Sequence, residues 1–147
     1  MMLLVACSGC ALGTGPVVGY GTKKGLYAGG SMYAGLTFPQ VAFEVGGTKE
    51  GTLAQVRFEI EASKVRAMSG NAGIPYPGGR IGFGYSRTNG EGDFAFLLGP
   101  DIALLHNERF CDGAGAFYGG VELRYAGSEW QVVAAPRYEL LYDLCLR

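Results

Sequence analysis

Ala54-Gln55-Val56-Arg57-Phe58-Glu59-Ile60-Glu61-Ala62 alternates apolar and polar residues without a break. Successive side chains of a strand point to opposite faces, so period two is the signature of a half-buried β-strand. Read this way, Ala54, Val56, Phe58, Ile60 and Ala62 share one face. Gln55, Arg57, Glu59 and Glu61 share the other. A helix would scatter the same residues around its axis and leave no apolar stripe.

The pattern recurs outward from this stretch. Tyr138, Leu140, Tyr142, Leu144 and Leu146 oppose Arg137, Glu139, Asp143 and Arg147. Phe117, Val121, Leu123 and Tyr125 oppose Tyr118, Glu122 and Arg124, and Ile81, Phe83 and Tyr85 oppose Arg80, Gly82, Gly84 and Ser86. The 26 glycines among 147 residues disfavour helix interiors, and nine Tyr with eight Phe favour strands. Asn89-Gly90 and Gly127-Ser128 read as hairpin turns. The segments read as strands are 17–21, 26–38, 41–45, 52–65, 80–87, 93–98, 115–126, 129–135 and 137–147. Residues 68–79 read as a loop, because Pro75 and Pro77 have no ladder donor. The stretch from Asp101 to Arg109 fits either a strand continuation or a helical turn. The expectation is an all-β chain, a single antiparallel meander of about eight strands forming a closed or nearly closed barrel.

Two architectures satisfy this alternation, each the other turned inside out. In a soluble sandwich or barrel the apolar faces meet in the core. In a transmembrane barrel they meet lipid, and the polar faces line the interior. Arg57, Glu59, Glu61, Glu122, Arg124, Arg137, Glu139 and Asp143 therefore line either the barrel interior or a solvated face.

The N-terminus supplies an address. Leu4-Val5-Ala6-Cys7 resembles the lipobox of bacterial lipoproteins, which implies a signal segment and an acyl chain on Cys7, with Cys10 as the alternative. Residues 1–15 are then a signal or lipobox-like segment with a short linker, and 16–147 a single barrel domain. The strand count resembles that of the smallest outer-membrane barrels. Together the resemblances imply a lipid-anchored barrel of the bacterial envelope with a charge-lined interior, serving a structural or loop-mediated binding role. The alternative is a soluble, lipid-tethered periplasmic β-domain that binds a small molecule or a protein. Both place the chain at the outer membrane or in the periplasm. Membrane lipid and other envelope proteins are the expected partners. Nucleic acid is not, because the net charge is −1 and no basic cluster occurs.

Cys111 and Cys145 are candidates for a disulfide closing the last strands onto the preceding loop, as exported proteins allow. The alternative is two independent thiols. Cys7-x-x-Cys10 has zinc-ligand spacing but no second half, so neither a metal nor a cofactor is expected. His106 is the sole imidazole and the one candidate for base chemistry on envelope lipids. The His-x-Ser-Asn pattern of outer-membrane lipid A deacylases does not follow it; Asn107-Glu108 does. Glu59 and Glu61 share a face with Arg57, which favours a charge ladder over a catalytic dyad. Whether the chain is an enzyme is left open here, with the residues leaning against it.

Overall fold

The computed structural model describes residues 10–36, 39–68, 71, 73–106 and 114–142. It is an antiparallel meander of β1 (Cys10–Gly21), β2 (Gly25–Leu36), β3 (Gln40–Thr48), β4 (Gly51–Glu61), β5 (Pro75–Thr88), β6 (Glu91–Leu105), β7 (Ala114–Ala126), β8 (Glu129–Ala134) and β9 (Arg137–Tyr142). One helix, α1 (Ala62–Met68), lies between β4 and β5.

β8 and β9 are halves of one strand. Both pair with β7 on one side and β1 on the other, and the register continues unchanged across the gap. The gap is Ala135-Pro136, where proline has no N–H to give to a ladder. The sheet is thus an eight-stranded barrel closed between β1 and this interrupted strand. Hydrogen-bonded partners can be followed from Ala11 through Gly35, Gln40, Glu59, Gly82, Leu97, Arg124 and Gln131 to Gly21. One circuit therefore returns to β1 ten residues further on. A stagger of this size tilts the strands by about 40° and leaves an interior just wide enough for side chains to fill.

The strands turn at two rims. Four tight hairpins, β1–β2, β3–β4, β5–β6 and β7–β8, share the hairpin rim. Asn89 and Gly90 have φ of 49° and 95°, and Gly127 and Ser128 have 60° and 64°, as two-residue turns of this class require. Neighbouring hairpins are tied together by Asn89 Nδ2 on the Glu50 carbonyl at 2.7 Å and Lys24 Nζ on that of Gly127 at 2.8 Å. The opposite, terminal rim carries the entry of β1, the exit of β9 and the other three connections, one of them containing α1.

Several strands are longer than their sequence patterns imply. Residues 10–15, read as the tail of a leader and a linker, lie in β1. Gly13 faces inward where Glu139 crosses it, with Glu139 Cβ 3.2 Å from where a Cβ would stand. Pro75 and Pro77 belong to β5, opposite Leu104 and Ile102, and β6 runs on to Leu105. β4 ends at Glu61, because Ser63 and Ala67 are buried at the i, i+4 spacing of one helical face.

Close backbone approach fixes some glycines. A Cβ on inward-facing Gly84 would fall against the Val56 carbonyl and 2.7 Å from Arg57 Cα. Gly84→Ala should therefore cost about 1–3 kcal/mol, the usual penalty for overpacking. Gly79→Ala, whose Cβ would meet only the Gly99 carbonyl at 3.6 Å, should be near neutral. Denaturant midpoints of the two variants measure the difference.

Candidate functional site

The barrel is inverted relative to a soluble β-protein. Val56, Phe58 and Ile60 point outward on β4, while Gln55, Arg57, Glu59 and Glu61 are buried inside. The same holds on β7 and on the β8/β9 strand. Leu123, Val132 and Leu140 are outward, and Glu122, Arg124, Gln131, Arg137 and Glu139 are buried. Seven of the eight residues assigned to the polar faces thus meet within one interior; Asp143 lies outside the described residues.

Their partners form a lattice of alternating charge along the axis. Near the hairpin rim, Glu44 accepts from the Tyr27 hydroxyl at 2.7 Å, Gln55 Nε2 at 3.0 Å and Arg57 Nη2 at 3.1 Å. Arg124 reaches both oxygens of Glu44, through Nη1 at 2.5 Å and Nη2 at 3.0 Å. Arg57 Nε continues to Glu59 at 2.9 Å, and Arg124 Nε to Glu122 at 3.1 Å. Arg80 pairs with Glu122 and stands 3.7 Å from Glu59 and 3.6 Å from Glu61. Glu61 accepts from Gln40 at 2.9 Å and pairs with Arg137, whose Nε donates to Glu139 at 2.7 Å. Lys64, carried in by α1, ends the lattice on Glu139 at 2.5 Å.

Aromatic rings brace the cations. The Arg137 guanidinium lies 4.7 Å from the Tyr33 ring centroid and 4.4 Å from that of Tyr118, as cation–π geometry requires. Charges out of water are tolerated only when paired and hydrogen-bonded. The lattice pairs its arginines and Lys64 with glutamates, whereas neither carboxylate oxygen of the buried Asp101 has a hydrogen-bond partner among the described residues.

Apolar layers close both ends. Val17, Tyr27, Leu53, Ala126, Val133 and Ala135 pack at the hairpin side. At the terminal side, Ala67 of α1 packs with Ala11, Ala103, Leu105, Ala116 and Tyr118. The space beside Arg80, Asp101, Glu122 and Arg137 amounts to about 10 Å³, room for about one water. The interior is a filled core. Among the described residues it holds neither a substrate cleft nor a channel.

Other candidates fall elsewhere. His106 is exposed at the terminal rim, its ring edge-on to Phe117 at 6.3 Å. Glu59 and Glu61 are members of the lattice and each faces an arginine. Cys10 opens β1 opposite Leu36 and Tyr142. Cys7, Cys111 and Cys145 lie outside the described residues. Among the described residues no cluster of three or more His, Cys, Asp or Glu could hold a metal ion.

Glu44, Lys64 and Asp101 were missed as interior residues, whereas alternation had already set Arg80 on the polar face of its strand. Glu44 was legible, because Val41, Phe43 and Val45 alternate with Ala42 and Glu44. Lys64 was not: strand parity places it with Ile60, and only the helix turns it inward. Comparison with known proteins finds no matching family model, no similar curated protein and no similar solved structure.

Proposed function

We propose that the chain is an integral β-barrel of the bacterial outer membrane, a structural envelope element with a sealed interior, additionally tethered by an acyl chain on Cys7 or Cys10. The observation that carries this reading is the inversion: ions inside, and a ring-wide surface of exposed Leu, Val, Ile, Met and Phe outside. Soluble monomers rarely expose a contiguous apolar patch beyond about 300–600 Å². Here outward residues of all eight barrel strands contribute. On β6 the apolar run from Phe94 to Leu104 rises about 25 Å at this tilt, the height of a membrane barrel's lipid-facing band.

Aromatic residues support the same reading. Paired Tyr85 and Phe94, paired Tyr125 and Trp130, and Tyr20 all sit near the hairpin rim. Interfacial girdles of membrane barrels are built from such side chains. Cys10 is the first residue of β1, at the terminal rim, so an acyl chain on it would enter the adjoining leaflet. The filled core favours a structural role over transport.

The test is fractionation of the Cys7→Ala/Cys10→Ala variant. It should stay in the membrane until detergent is added and show heat-modifiable gel mobility. It should also lose incorporation of labelled palmitate. Release without detergent overturns the integral barrel, and retained label overturns the anchor alone.

A further inference from the structure

An apolar groove of about 540 Å³ interrupts the outer wall beside α1. Ile60, Ile81 and Leu98, paired in one row across three strands, bound its hairpin side, Val65 of α1 lines its terminal side, and Gly79 leaves the floor bare. A side chain at Gly79 has room, since an added Cβ meets only the Gly99 carbonyl at 3.6 Å. The outward neighbours Ile81 and Phe83 on the same strand are large. At the terminal-rim end of the groove stands Arg66, whose Nη1 donates to the Pro77 carbonyl at 2.9 Å. That bond holds a cation where the apolar band meets the rim. An apolar slot bordered by an arginine matches an amphiphile with an anionic head, because guanidinium binds phosphate oxygens through charge-assisted hydrogen bonds.

We propose that this groove seats one acyl chain of a membrane phospholipid, with its phosphate bound by Arg66. The proposal rests on the membrane reading above. The chain fills the slot over Gly79 between the Ile60–Ile81–Leu98 row and α1, and the headgroup lies at the terminal rim.

The test uses the full chain, delipidated in nonionic detergent and titrated with dioleoyl-phosphatidylglycerol under native mass spectrometry. Dioleoylglycerol, which has the same chains and no phosphate, is the second probe. One phosphatidylglycerol should be retained per barrel, and dioleoylglycerol should bind about tenfold more weakly, the worth of one charge-assisted contact. Arg66→Ala should lower phosphatidylglycerol affinity about tenfold and make the two probes equal. Gly79→Leu should weaken both by filling the slot. Equal binding of both probes by the unaltered chain overturns the proposal, as does unchanged retention in both variants. Heat-modifiable mobility shows that each variant has folded. Failure of the membrane reading is seen separately, as release from the membrane without detergent.

Discussion

Glu44→Leu should destabilise the barrel by about 3–5 kcal/mol, the cost of removing one partner from a buried ion pair. Glu44 receives Arg57 and Arg124 together with the Tyr27 hydroxyl and the Gln55 amide. Its loss leaves two fully buried guanidiniums partly uncompensated. Removing one cation as well should restore part of the loss, so Glu44→Leu/Arg124→Leu should be less destabilised than the sum of its single variants. A double-mutant cycle of denaturant unfolding from lipid vesicles measures this coupling. Additive losses would mean that the lattice does not act as a unit.

Met32→Arg should cost about 2–4 kcal/mol in a bilayer, as arginine does on the lipid face near the midplane of a membrane barrel. Met32 lies midway along β2, 60% exposed, opposite Thr14 and Phe43. Leu26→Arg, beside the first hairpin, should cost about 0–1 kcal/mol, because the penalty falls toward the interface. In water the same change at Met32 would stay within about 0.5 kcal/mol, as surface substitutions usually do. The depth dependence therefore separates lipid from water as the solvent of the outer face. Equal, small effects at both positions would sink the membrane reading.

How far these features were legible follows from what periodicity encodes. Alternation assigned Arg57, Glu59 and Glu61 to one face because parity is a local property. It could not say which face was inside, since inversion leaves the pattern unchanged. That choice is made by closure, which brings Glu44 of β3 against Arg124 of β7. Strand length failed where side chains were small, as β3 runs through Gly46 and Gly47 and β1 through Gly13 and Gly15, and where an apolar run fits helix and strand alike, as at Ile102 to Leu105 of β6. Pro75 and Pro77 misled because a strand can carry proline where a donor is dispensable. The turn at Asn89-Gly90 was legible in advance, since its backbone requirement rests on two adjacent residues.

The seam between β1 and the interrupted last strand joins Val18 to Ala134 and Leu12 to Leu140. Such contacts carry the loop-closure entropy of nearly the whole chain, so they form late. Until Arg137 and Glu139 emerge from synthesis, Lys64 has not met its ionic partner and Glu61 has met only Arg80, and the sheet keeps two open edges. Edges of this kind invite pairing with other chains. The nascent chain thus passes through a stage in which neither its solvent-facing chemistry nor its hydrogen bonding is complete.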